Sequence, residues 1–262
     1  MIMQSDPIEV KVTDCAGTII INRPDHGNTL NRSMLQQLSD ALDDLYREKS
    51  VRAIILTGAG DTFCEGIDLE ELQQDDCPET QEHWGTDAAR YRDLLLRMLE
   101  ITKPIIASVN GPAISDGAGL VVASDIVVAS QEASFGLPDP RRGLVAGVVA
   151  PLLCSRLGSG HAARLLLTST TIDAQEAHRL GVFHELTDAD TVWARAAEVA
   201  KECASGAHEA IQLTKRLLTE TMGEQLETQL SAGAVMRATA YTTEAAQEGI
   251  AAFLENRSPE WK

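Results

Sequence analysis

A chain of 262 residues with 44% hydrophobic side chains is long enough for one large domain with its own core, or a domain with a tail. Its 39 acidic against 22 basic residues give a net charge of −17, and no Lys/Arg cluster interrupts it, which excludes a nucleic-acid-binding face. The longest apolar runs are too short for a bilayer, no basic start leads into a long apolar run, and five widely spaced cysteines without a C-x-x-C pair point to free thiols in a reducing, cytoplasmic setting.

Residues 9–13 alternate apolar and polar, as a half-buried strand does, and residues 18–22 after Gly17 read as its hairpin partner. Residues 24–28 are rich in turn formers. Asn31 or Ser33 can cap a helix whose stripe is Met34, Leu35, Leu38, Ala41, Leu42, Leu45 and Tyr46. Residues 53–57 form a short apolar strand, and a helix is expected to start within residues 67–72. Residues 75–86 are polar, carry Pro78 and lack periodicity, so they are expected to form a loop. Leu94, Leu95, Met98 and Leu99 mark a helix over residues 88–101. Apolar runs at 104–109, 126–129 and 133–137 read as strands. Residues 143–157 are apolar with small residues, and Pro151 has to sit near a helix start or kink the helix. Residues 173–181 form a short helix closed by glycine, and four helices follow over 188–205, 207–221, 224–238 and 243–255. Mixed strands and helices followed by nearly pure helix predict an α/β layer architecture without an independent second domain.

Two stretches place small residues where an apolar strand turns into a helix. One is residues 110–120, N-G-P-A-I-S-D-G-A-G-L; the other is residues 51–72, which contains F-C-E-G-I-D-L. Glycine lets the backbone approach a ligand, and the first amides of a helix point outward unpaired, so such a turn can hold an oxygen that gains negative charge. No G-x-S-x-G occurs, so the sequence does not predict a nucleophile elbow. No phosphate loop of the G-x-x-x-x-G-K-[ST] type occurs, and the six histidines lack metal-ligand spacing. His26 and His83 lie in segments that border a possible pocket.

Together the two turns resemble those of the enoyl-CoA hydratase/isomerase (crotonase) family. The resemblance extends through Ile21-Asn22-Arg23-Pro24, Asn28 to Asn31, Phe135 to Asp139, Leu165 to Thr168, Ile172 to Ala177 and Ala252 to Arg257. It implies a ββα spiral core over residues 1–187 and a helical trimerisation region over 188–262, giving a homotrimer or a hexamer of two trimers. It also implies chemistry on an acyl-CoA thioester, coenzyme A being part of the substrate, with no bound cofactor or metal, and a place in fatty-acid metabolism.

Carried over by motif position, the backbone N–H groups of Ile67 and Asp116 form an oxyanion hole. Glu65, Ile67, Asp68, Leu69, Gly117 and Phe253 line the CoA path, with Arg23, Arg32 and basic residues late in the chain as possible charge partners. Hydratases of this family commonly hold a water between two glutamates. The first position is Gly119 here, and the second is Asp139. The catalytic candidates are therefore Asp139 and, as a departure from the usual glycine, the side chain of Asp116, which the sequence leaves pointing at the thioester, into solvent or into a local hydrogen bond. With the first acid absent, isomerase, decarboxylase, lyase or thioester hydrolase chemistry, or a silent acyl-CoA-binding protein, stand beside hydration.

Overall fold

Apolar runs of five or six residues, bounded by turn formers, build the centre of the larger of two sheets. A computed structural model describes residues 6–73, 80–223 and 225–261. Strands β1 (Ile8–Thr13) and β2 (Ala16–Ile21) form a hairpin, and β3 (Ala53–Gly58), β4 (Ile105–Val109), β6 (Ile126–Ser130) and β9 (Glu185–Thr187) extend it in parallel. The order is β1-β2-β3-β4-β6-β9. A second mixed sheet joins β5 (Ala113–Ile114), β7 (Ser134–Gly136) and β8 (Ile172–Asp173).

The central parallel strands β3, β4 and β6 are buried on both faces, which is why they read as unbroken apolar runs. Ile54 and Leu56 of β3 face the main core with Ile105 and Ala107 of β4. Ala53, Ile55, Ile106 and Val128 face the other way, against α7 (Val192–Ala204). The main core is closed by α1 (Arg32–Arg47), α3 (Thr80–Glu100), α4 (Asp116–Ala123), α5 (Val149–Thr168) and α9 (Leu226–Tyr241). Asn31 caps α1 by accepting from Met34 N–H at 2.9 Å. Pro151 sits in the first turn of α5, where its missing N–H has no acceptor to lose.

Several expectations are corrected. The loop expected over residues 75–86 is helical from Thr80 onward, and residues 75–79 lie outside the described residues. The helix expected to start within residues 67–72 does so, as α2 (Leu69–Gln73), of five residues. Within the region expected to serve trimerisation, the apolar face Val192, Ala196, Val199 and Ala200 is buried on the sheet. Helices α6 (Ala174–Leu180), α8 (His208–Thr221) and α10 (Glu244–Leu254) complete the chain. Among the described residues, no helix is long and apolar enough to cross a membrane.

Candidate active site

The turn after β3 and the turn after β4 lie against each other, backbone to backbone. Phe63 and Cys64 N–H both donate to Pro112 O at 3.1 Å, and Ile114 N–H donates to Cys64 O at 2.9 Å. Gly66 has φ +102°, and a Cβ there would stand 2.8 Å from Ser115 Cβ and 3.2 Å from Asp116 N. A Cβ on Gly117 would stand 2.0 Å from Cys64 O, so glycine at both places is what lets the turns close.

This contact brings the two expected amides together. Leu30 N–H donates to Gly66 O and Asp68 N–H to Leu30 O, fixing the chain on both sides of Ile67. Asp116 opens α4, where amides have no partner inside the helix. Among the described residues neither the Ile67 nor the Asp116 N–H has an acceptor. Two such donors can hold an oxygen that becomes negative.

The Asp116 carboxylate does something the sequence did not suggest. It is buried, and Arg237 of α9 grips both oxygens, at 2.5 and 2.6 Å. The Arg237 Nε donates to Tyr241 Oη at 2.8 Å, and its guanidinium lies 5.1 Å from the Tyr91 ring centroid. Tyr91 Oη in turn donates to Asp116 O at 2.6 Å. Burial opposes the charge on Arg237, but the facing carboxylate outweighs it and holds the guanidinium protonated. With both carboxylate oxygens occupied, the group Asp116 offers to chemistry is its N–H.

Tyr91 also explains Gly119. A Cβ on Gly119 would stand 1.9 Å from Tyr91 Oη and 2.8 Å from Val149 Cγ2. The place of a first acid is filled by a phenol.

Asp139 begins a short 3-10 turn, Asp139–Arg142, directly after β7 and Pro138. Its side chain is buried. Oδ1 accepts from Ser115 Oγ at 2.7 Å, and Oδ2 has no hydrogen-bond partner among the described residues. Burial raises this carboxyl above its ordinary value, aided by Asp116, while the Ser115 hydroxyl and Arg237 pull the other way. Arg141 donates to Thr168 O and Arg142 stacks on Phe253, its guanidinium 4.0 Å from the ring centroid.

Glu65, Ile67, Asp68, Leu69 and Phe253 line one surface cleft, with His26 and Arg142. The Asp68 carboxylate pairs with Arg23 and caps α2, accepting from Glu70 and Glu71 N–H. Arg32 pairs with Asp87. His83 is on α3 and does not line the cleft. Among the described residues, no group of three or more His, Cys, Asp and Glu gathers as a metal site. Sequence reasoning missed Ser115, Tyr91 and Arg237. Ser115 carried a signal, since it stands where the family pattern has glycine; Tyr91 and Arg237 carried none.

The family model described as enoyl-CoA hydratase/isomerase matches residues 13–262. The 1,2-epoxyphenylacetyl-CoA isomerase of Escherichia coli is 30% identical over 245 residues, covering 93% of this chain and 94% of that one. The short-chain-enoyl-CoA hydratase of Clostridium acetobutylicum is 31% identical over 245 residues, covering 92% of each. The crystal structure of carnitinyl-CoA hydratase from Mycobacterium avium superposes with a TM-score of 0.86 at 32% identity, covering 99% of both chains. With the two turns, their free amides and the buried acid in place, the chain belongs to the enoyl-CoA hydratase/isomerase family, the crotonases, enzymes that act on acyl-CoA thioesters.

Proposed function

We propose that this enzyme moves a double bond within an enoyl-CoA thioester, with Asp139 as the acid and base. The thioester oxygen accepts from the N–H groups of Ile67 and Asp116. Asp139 Oδ2 takes a proton from the carbon next to the carbonyl of a β,γ-enoyl-CoA. The electron pair left behind spreads onto the thioester oxygen as a dienolate. The protonated Asp139 then returns the proton to the γ carbon, giving the α,β-enoyl-CoA.

One observation carries this reading: the buried Asp139 has one oxygen held by Ser115 and the other without a partner among the described residues, while Tyr91 fills the place of the first acid. Hydration by the two-acid route needs a water held between two carboxylates. A single shuttle suits isomerisation. A raised carboxyl pKa favours it as well, since proton transfer is most efficient when the group's pKa approaches the operating pH.

In the same reading, CoA lies along the cleft of Glu65, Ile67, Asp68 and Leu69, and its adenine meets Phe253 backed by Arg142. Arg142 is the cation that lines this cleft, whereas Arg23 and Arg32 are engaged with Asp68 and Asp87. Residues 188–262 supply an oligomer contact, a trimer or pair of trimers, through the exposed leucines of α8.

The test is a comparison of β,γ- and α,β-enoyl-CoA as substrates. Conversion of the first to the second, lost in Asp139→Asn, is the expected result. Rapid hydration of the α,β-ester with no double-bond shift contradicts it.

A further inference from the structure

Ser115 stands between strand β5 and helix α4 with φ 53° and ψ −117°, a backbone that side-chain-bearing residues rarely adopt. The residues two before and two after it are Ala113 and Gly117. The order is A-x-S-x-G, a relative of G-x-S-x-G with one methyl added. The N–H of the residue after Ser115 is one of the two free amides, and the other, from Ile67, belongs to a different loop. A nucleophile elbow consists of these parts: a serine on a strained strand-to-helix turn, the next residue's amide, and a second amide from elsewhere. Here the serine hydroxyl is already hydrogen-bonded to a base, Asp139 Oδ1, at 2.7 Å.

We propose that Ser115 is a nucleophile toward the thioester, so that this site also hydrolyses saturated acyl-CoA esters through an acyl-Ser115 intermediate. The proposal rests on the reading that the two amides receive the thioester oxygen. Ser115 Oγ bonds to the thioester carbon as its proton passes to Asp139. The carbonyl π pair becomes an oxyanion held by the N–H groups of Ile67 and Asp116. Collapse of that intermediate restores the C=O bond and breaks C–S, and the departing CoA thiolate takes the proton from Asp139. Water then attacks the acyl-Ser115 ester while giving a proton to Asp139. The second oxyanion collapses, Ser115 Oγ leaves, and it recovers that proton. The sum is thioester plus water to carboxylic acid plus CoA thiol, with no change of oxidation state. The burial that raises Asp139 makes it a stronger base than an ordinary carboxylate.

The test uses butyryl-CoA, which has no double bond to shift or hydrate. Free CoA is separated by chromatography, because the exposed Cys154 would react with thiol reagents. Acid-quenched enzyme is digested and the peptide carrying Ser115 is weighed. The expected result is CoA release with a butyryl increment on Ser115. Ser115→Gly should lose the increment and slow release by about a thousandfold or more. Glycine suits the positive φ, so this variant folds, as its melting curve would verify. Release that persists in Ser115→Gly, or release without the increment, overturns the nucleophile. No release from butyryl-CoA by an enzyme that still shifts a β,γ-double bond also overturns it and leaves the proposed function intact. Neither reaction, with no binding of either ester, would remove both.

Discussion

The two oxygens of Asp139 are treated differently: one is tethered by Ser115 and the other is buried without a partner. A carboxylate in that position is costly to ionise. Its folded pKa lies above the unfolded value of about 3.9, so the folded chain binds more protons across that window. Stability is therefore highest below the unfolded value and falls as pH rises through the window. Asp139→Asn removes the cost, so at neutral pH it should melt above the wild type, with the gap closing toward acidic pH. The same change should cut turnover by about a hundred- to ten-thousand-fold while CoA-ester affinity holds, because the amide keeps the shape and loses the proton chemistry. A lower melting temperature together with normal turnover would remove Asp139 from both roles. At Gly119, reinstating the family's acid as Gly119→Glu should give no hydratase activity and a lower melting temperature. Its Cβ alone would meet Tyr91 Oη at 1.9 Å. A gain of hydration would show that the phenol yields.

At the scale of elements, α9 reaches the active site through Arg237. It grips Asp116, whose backbone N–H is the proposed oxyanion donor, from 121 positions along the chain. Removing one partner of a buried ion pair costs about 3–5 kcal/mol. Arg237→Met should lower the melting temperature by roughly 10 °C and reduce kcat more than it raises KM, since the oxyanion turn loses its anchor. The double variant Asp116→Gly with Arg237→Met should recover most of the stability, because no unpaired charge stays buried. No recovery in the double variant would mean that Arg237 acts through packing alone. These contacts also mark what the sequence could tell. Strands β3, β4 and β6 were legible because burial on both faces makes them apolar throughout, and α1 because its stripe and its Asn31 cap are local. The short strands β5, β8 and β9, of two or three residues, are too brief to carry a period. The first turns of α3 are polar and show no stripe, so the start of that helix was missed. The motif turns pointed to Ile67, Asp116 and Asp139. They said nothing of the partners of Asp116, because Tyr91 and Arg237 are joined to it only by the folding of α3 and α9.

At the scale of the whole molecule, the C-terminal helices divide their apolar residues between two uses. Helix α7 covers the sheet, whereas α8 leaves Leu213, Leu217 and Leu218 at 58–66% exposure. Such a row favours self-association. Sedimentation at micromolar concentration should give a trimer or its double, and Leu217→Asp should shift it toward the monomer; a monomeric wild type would contradict this. Helix α10 packs on the turn that carries Asp139. A Cβ on Gly249 would meet the Arg142 backbone at 2.3 Å, and Phe253 stacks on the Arg142 side chain. The cleft, the acid and the tail therefore form one unit, built around an acid proposed to move a proton beside a stabilised enolate. The most direct measurement is deuterium incorporation into a β,γ-enoyl-CoA and its product in D₂O, followed by NMR for wild type and Asp139→Asn. The expected result is deuterium at the α and γ carbons with wild-type enzyme, and almost none with Asp139→Asn although the ester still binds. Equal incorporation by the two proteins, or none by the wild type, would contradict it.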